Sequence, residues 1–321
     1  MASRTFGAGY KRTFAENHLT LGVGFPIEAY EGPVAELNHQ IARAKAAERG
    51  GFATVWCRDI PVYDPSFGDL GQIYDPWAWL GYVAAQTSTI ALGTGSIILP
   101  LRAPVDTAKA ACSVDHLSGG RLVFGVASGD RPVEYSVFNK PFDDRGDSFV
   151  EAFKLIRNVS HRPDDWNNKL VAQSNQLNVL PKSVSGDLPM LVTGNSRQSV
   201  EWIAEHADGW LMYPRPLFVQ KNTVNDWQTA VQANGQHWKP FAQSLYIDLT
   251  ENPNEEPSRI HLGFRLGRNP LITHLEALRE CGVNHVLFNV KFSSRPVDDV
   301  LAELCEFVVP QFPAINPGQE T

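Results

Sequence analysis

Between Leu19 and Val308 the chain alternates short, continuously apolar runs with longer segments of helical period, eight times over. Runs rich in Val, Ile, Leu and Phe with no polar alternate face read as strands covered on both sides, the pattern of a parallel sheet with a helix between successive strands. The strands are read at Leu19–Phe25, Ala53–Cys57, Ile90–Leu99, Leu122–Ala127, Met190–Thr193, Gly209–Tyr213, Ser244–Leu249 and His285–Val290. The first helix is expected after Gly32-Pro33, with Val34, Leu37, Ile41, Ala44 and Ala47 on one face. Further helices span Pro76–Gln86, Pro104–Leu117, Arg145–Asn158, Ser196–Ala207 and Leu217–Ala233; Asn269-Pro270 opens the seventh, and Val297–Val308 closes the chain.

Eight strand–helix pairs in 321 residues predict an α/β fold, a (β/α)8 TIM barrel forming one domain over residues 1–321. Residues 1–18 are then an N-terminal extension and 313–321 a C-terminal tail. Two insertions are expected. One is a polar stretch after the fourth helix, Ser160–Leu188, with a short hairpin around Leu177–Leu180. The other follows the seventh strand at Glu251–Leu262, long enough to act as a lid. A doubly wound open sheet shares this alternation. The first strand has no GxGxxG turn, and eight units exceed what such a sheet normally holds.

Composition narrows the function classes. With net charge −7 and scattered Lys and Arg, the chain offers no basic patch for nucleic acid. Cys57, Cys112, Cys281 and Cys305 show no CxxC spacing, so neither a zinc site nor a disulfide framework is expected, which suits a reducing cytoplasm. No segment reaches the roughly 18 apolar residues of a membrane span. In a barrel the site lies at the C-terminal strand ends, and there the sequence supplies aromatic and hydroxyl residues rather than a His, Asp and Glu cluster, so no metal is expected. His285 falls at the N-terminal end of its strand, away from that rim.

Two strand ends stand out. Thr193-Gly194-Asn195-Ser196 leads into a helix whose next turn carries Ser199, so N–H groups and hydroxyls converge at a helix N-terminus, as an anion site requires or as any good helix cap would. Gly93 and Gly95 interrupt an apolar strand, implying a bulge, a close backbone approach, or a kink that fits the barrel's curvature.

The unit from Ile90 to Gly129, which begins IALGTGSIILP, and the overlapping motif GVASGDRPVE at Gly125 to Glu134 resemble the luciferase-like, flavin-dependent monooxygenases, and the resemblance extends from Leu19 to Phe312. It implies that the turn at Gly194, Asn195, Ser196 and Ser199 holds a flavin phosphate, with Thr193 and Ser128 beside it. It also implies that the Gly95-Ser96 bond is a non-proline cis peptide beneath the flavin ring. Luciferase subunits carry an arginine at the position of Ser128 and a catalytic histidine at that of Ile60; this chain lacks both. The family's acid is kept at Asp59, and Arg58 with Asp59 forms either a structural ion pair or a catalytic one, Arg58 anchoring an anionic substrate and Asp59 orienting it or exchanging a proton.

The function so implied is a two-component monooxygenase. Reduced FMN would come from a separate flavin reductase, with dioxygen and a small organic substrate as partners. Relatives of this kind pair as homodimers through the second and third helices, and on the third Ala108, Ala110 and Ala111 permit close packing either against a partner or equally well against the barrel. Three alternatives remain open at this stage: hydride transfer with the deazaflavin F420, flavin binding without turnover, and a Schiff-base lyase through Lys291, just past the eighth strand.

Overall fold

The computed structural model describes residues 4–66, 73–160 and 178–316. In chain order its elements are α1 (Ala8–Thr13), β1 (Thr20–Phe25), α2 (Gln40–Arg49), β2 (Thr54–Cys57), α3 (Pro76–Gln86), β3 (Ala91–Thr94), β4 (Ile97–Ile98), α4 (Pro104–Leu117), β5 (Leu122–Ala127) and α5 (Pro132–Val137). They continue as α6 (Arg145–Ser160), β6 (Met190–Thr193), α7 (Val200–His206), β7 (Gly209–Met212), α8 (Leu217–Ala233), β8 (Phe241–Leu249), β9 (Ser258–Ile260), β10 (Gly263–Leu266), α9 (Arg268–Glu280), β11 (His285–Asn289) and α10 (Val297–Glu303).

Strands β1, β2, β3, β5, β6, β7, β8 and β11 pair in parallel in that order, and β11 pairs again with β1, closing an eight-stranded (β/α)8 barrel. Helices between the strands bury their apolar faces on its outside, through residues such as Ala44, Leu80, Ala108, Phe153, Ile203, Trp227 and Leu275. Inside, Trp56 on β2 reaches over Gly22 of β1 and donates its Nε1 hydrogen to His285 Nε2 on β11 at 2.9 Å. Two glycines make the room. A Cβ at Gly93 would stand 2.4 Å from the Trp56 ring, and one at Gly22 would stand 2.6 Å from His285 Nε2. The close approach read from the Gly93 position is therefore to a side chain, the indole, rather than to backbone.

Several boundaries shift, each for a local reason. The first helix starts at Gln40, well after Pro33. The buried Glu28 carboxylate accepts from Glu36 N at 2.6 Å, Leu37 N at 3.2 Å and Gln40 Nε2 at 2.6 Å, holding a loop in which Leu37 and His39 have positive φ. The third strand is two pieces, β3 and β4, broken at Gly95-Ser96. The fifth helix begins at Val200 rather than Ser196, because Gly194, Ser196 and Arg197 have φ of 56°, 45° and 63°, which no right-handed helix admits. Gly267, not Asn269, caps α9.

The N-terminal extension contains α1, which closes the bottom of the barrel. Gly9 lies against Arg121 there, and Thr13 Oγ1 meets Thr54 Oγ1 at 3.0 Å. The insertion after β8 is an antiparallel hairpin, β9–β10, with β10 added in parallel beside the upper end of β8. Arg265 fastens it, donating to Asp248 at 2.8 Å. The hairpin expected around Leu177–Leu180 belongs to a region of which residues 161–177 lie outside the described residues; 178–180 form no strand. Among the described residues no helix is long and apolar enough to cross a membrane.

Candidate active site

The β3–β4 break, the β5 end and the β6 turn are held together by hydroxyls. The Ser96 and Thr193 hydroxyls bond to each other. Ser196 Oγ donates to Thr193 O at 2.9 Å and accepts from Ser128 N at 3.2 Å. The Gly95–Ser96 peptide is cis. Above these groups opens a polar cavity of about 250 Å³. Arg58, Asp59 and Ile60 from the β2 end wall one side, Ser128 to Arg131 from the β5 end another, and Thr193 to Ser196 a third. Left-handed residues in a tight turn let successive N–H groups face one way, so the β6 turn has the backbone form of an anion nest.

A second chamber, of about 90 Å³, lies toward the barrel axis and shares Arg58, Gly95, Thr193 and Tyr213 with the first. Its other walls are mainly apolar, with Phe25, Trp56, Leu211, Leu262 and Leu287, while Ser244, Tyr246 and Asn289 add polar atoms. Gly95 sits at the junction, where a Cβ would meet Trp56, Leu287 and Leu211 at ordinary contact distances of 3.5 to 3.8 Å. A polar compartment and an apolar one thus meet at a residue without a side chain.

The charged groups divide in the same way. Asp59 is buried and accepts from Arg102 Nε at 2.8 Å, Arg102 Nη2 at 2.6 Å and Ile98 N at 3.1 Å, a two-pronged pair that pins the β2 end to the loop after β4. Arg58, half-buried, borders both chambers. Behind the β5 end, Glu134 is wholly buried, with Oε1 3.4 Å from Arg131 Nη1. Burial pushes its carboxyl up to about 7 against the pull of Arg131, and Asp59, Asp130 and Asp64 push in the same direction as burial. Burial also pushes the Cys57 thiol well up, which leaves it inert as a nucleophile near neutral pH.

Residues 18–256 match the profile of the luciferase-like monooxygenases. This chain belongs to that family. An uncharacterized protein of Mycobacterium tuberculosis is 30% identical to it over 277 residues, covering 81% of this chain and 89% of that protein. The alkanal monooxygenase alpha chain of Photorhabdus luminescens is 27% identical over 164 residues, 50% of this chain and 44% of the other. Among solved structures, the coenzyme F420 dependent tetrahydromethanopterin reductase of Methanopyrus kandleri superposes with a TM-score of 0.72 at 16% identity, covering 92% of this chain and 99% of that one, a likeness of fold.

In this luciferase-like oxidoreductase the structure brings together Arg58, Asp59, Gly95, Ser96, Ser128, Thr193, Gly194, Asn195 and Ser196 around one cavity. Ser199 is not among its walls. It caps α7, its hydroxyl accepting from Trp202 N at 3.2 Å. Nor does Asp59 pair with Arg58; its partner is Arg102, forty-odd positions along, and the sequence signal for that pairing is only that a buried acid needs a cation. Arg131, within the GVASGDRPVE motif, also stands in the wall. Lys291 is buried, its Nζ 4.7 Å from the Tyr30 ring centre and 5.5 Å from that of Phe292, and it lines neither chamber. Ala108 and Ala111 are fully buried against the barrel, so they do not serve an outward interface.

Proposed function

We propose that this family member is a two-component flavin monooxygenase that takes reduced FMN from a separate reductase and oxygenates a small organic substrate with dioxygen. The observation that carries this reading is the meeting of a hydroxyl- and amide-lined cavity with an apolar chamber across Gly95. The donor set fits the cofactor. Asn195, Ser196, Gly194 and the backbone of the β6 turn suit a phosphate, Ser96, Thr193 and Ser128 suit a polyhydroxyl chain, and Gly95, having no side chain, lets a planar ring lie close to the backbone. Bound reduced flavin supplies the electrons that activate dioxygen.

The chain's own residues position and exclude. Arg58, shared by both chambers, orients a polar end of the substrate, while Phe25, Trp56, Leu211 and Leu287 keep water from its reacting part. Asp59, held by Arg102 and Ile98 N, fixes the β2 end that carries Arg58 and is a positioning group rather than a proton carrier. The β9–β10 hairpin presents Leu262 to the inner chamber and is the candidate lid. A cytoplasmic homodimer is part of the same reading, with α3 as the pairing face, where Tyr82 on the helix and Tyr74 just before it are about half exposed.

Anaerobic titration with reduced FMN, oxidised FMN and F420 tests the reading, followed by oxygen consumption with candidate substrates. Tight binding of reduced FMN with substrate-dependent oxygen uptake is expected. Preference for F420 would move the protein to hydride transfer, FMN binding without turnover would make it a carrier, and binding of neither would end both flavin readings.

A further inference from the structure

The inner chamber carries a polar corner on the wall that faces Gly95. Strand β3 is third and β8 seventh in the ring of eight, so the end of β3 and the end of β8 stand across the barrel axis from each other. Side chains alternate along each strand. On β8, Leu245, Ile247 and Leu249 pack outward with the helices, which leaves Ser244 and Tyr246 inward. On β11, Val286, Phe288 and Val290 pack outward, which leaves Leu287 and Asn289 inward. The parallel register sets Leu287 beside Ser244 and Asn289 beside Tyr246, so Ser244 and Asn289 are diagonal neighbours on one face.

The Asn289 amide has a defined orientation. Its Oδ1 accepts from Lys291 N at 2.9 Å, and a backbone N–H can only donate, so the free end of the amide is the Nδ2 donor. Neither that nitrogen nor the Ser244 hydroxyl has a hydrogen-bond partner among the described residues, although both residues are half-buried and line the chamber. Unsatisfied donors beside apolar walls call for an acceptor. The corner is uncharged. Arg58, the cation that borders the chamber, stands at the end of β2, next to β3 rather than next to β8. A carboxylate seated against Ser244 and Asn289 would lose its hydration with no adjacent cation to offset the loss, whereas a neutral oxygen would not.

Resting on the flavin reading, which puts the ring and the reacting carbon on the Gly95 side, we propose that Ser244 and Asn289 are specificity-determining residues that hold a neutral carbonyl oxygen at the substrate's far end. The substrate class so defined is a compact apolar molecule with a ketone, ester or amide group set apart from the carbon that is oxygenated. Each hydrogen bond to such an oxygen changes affinity by about 2- to 10-fold.

The test measures binding of cyclopentanone and methylenecyclopentane, which differ by a carbonyl oxygen against a methylene group, by ligand-observed NMR with and without FMN. Wild-type protein should favour the ketone by about fivefold or more. Ser244→Ala should bring the two affinities together, and Ser244→Thr, which keeps the hydroxyl, should retain the preference. Asn289→Asp keeps the acceptor for Lys291 N and removes the donor, so it should weaken the ketone more than the hydrocarbon. In Ser244→Ala the hydrocarbon affinity, the FMN affinity and the denaturation midpoint should stay at wild-type values, a selectivity that a merely structural role would not give. Wild-type protein that binds the two probes alike or binds neither, or a Ser244→Ala protein that loses both together, would overturn the proposal. So would a fall in FMN affinity in Ser244→Ala with the ketone preference intact, which would give the corner to the flavin ring. Wild-type protein that prefers the ketone but takes neither FMN nor F420 would sink the flavin reading and leave the carbonyl site standing, a result distinct from every variant outcome.

Discussion

Asp208 and Glu134 are both buried carboxyls, one at the N-terminal end of the barrel and one at the C-terminal end. Asp208 accepts from Arg157 at 2.7 Å, from Arg4 and from Met190 N at 2.9 Å, and those partners hold its carboxyl below the ordinary value although burial pushes the other way. Glu134 has one long contact and an orphan oxygen, and burial drives it up to about 7. The lower end, closed by α1 and Tyr10, thus gives its buried carboxylate several strong partners, although Arg12 Nε and Arg157 Nε are themselves buried there without a hydrogen-bond partner among the described residues. The carboxyl beside the cavity has no comparable set of partners. That contrast between the two carboxyls distinguishes an anchored acid of the scaffold from an acid beside the site.

The largest expected effect comes from removing the anchored acid. Asp208→Ala leaves Arg157 and Arg4 without their carboxylate, and removing one member of a buried pair costs about 3–5 kcal/mol. Urea denaturation should show that loss, while ligand affinity per folded molecule stays at the wild-type level. A loss under about 1 kcal/mol would mean that the lower end is not the anchor described here.

Gly93 and Gly95 sharpen the comparison within a single strand end. Ala at position 93 collides with the Trp56 ring at 2.4 Å, and overpacking of that sort destabilises by about 1–3 kcal/mol. Ala at position 95 meets only ordinary contacts and should leave stability within about 0.5 kcal/mol, but it fills the junction of the two chambers. Stability from denaturation and flavin affinity from titration should therefore move separately in the two variants.

These glycines also mark what the sequence could tell. The strand–helix alternation sufficed for the barrel, since burial on both faces leaves a period that one chain displays directly. The strand break and the β6 turn were legible because Gly-Ser and Gly-Asn-Ser are local signals. The pairing of Asp59 with Arg102, the Trp56–His285 contact that explains Gly93, and the Glu134–Arg131 contact behind the cavity are set by tertiary packing, and no spacing rule reports the first two. Helix starts failed where a side chain captured the backbone first, as Glu28 does before α2.

The two ends should also respond to acid with opposite sign. Burial pushes His285 down to about 3, far under its usual 6.5 or so in the unfolded chain. The unfolded state then takes up a proton that the folded state refuses, so this contribution is present above about pH 6.5 and lost as pH falls. Glu134, at about 7 when folded, is protonated where the unfolded carboxyl is ionised; its contribution is present below about pH 4.5 and lost as pH rises toward 7. Half-buried His274 acts in the same direction as the first and buried Asp115 in that of the second. Between pH 5 and 6.5, His285→Gln should tilt the stability profile relative to wild type by about 1.4 kcal/mol per pH unit in one direction, and Glu134→Gln by a similar amount in the other. Denaturant midpoints across that window measure both, and tilts of the same sign would refute the assignment.

The smallest effect on stability falls at the β6 turn. Asn195 is exposed, lines the polar cavity and accepts from Gln198 N only through its backbone carbonyl, at 2.7 Å. Asn195→Ala removes a side chain with no structural duty shown there, so the denaturation midpoint should shift by less than about 0.5 kcal/mol. Ser196→Ala is a different substitution, because it strips the acceptor from the buried Ser128 N and disturbs the strand ends as well. For that reason Asn195 is the cleaner probe of the anion site: FMN affinity should fall about tenfold if its amide meets the phosphate. Unchanged affinity with unchanged stability would show that the turn binds through backbone N–H groups alone, and the polar side chains at the upper end would then belong to the substrate rather than to the cofactor.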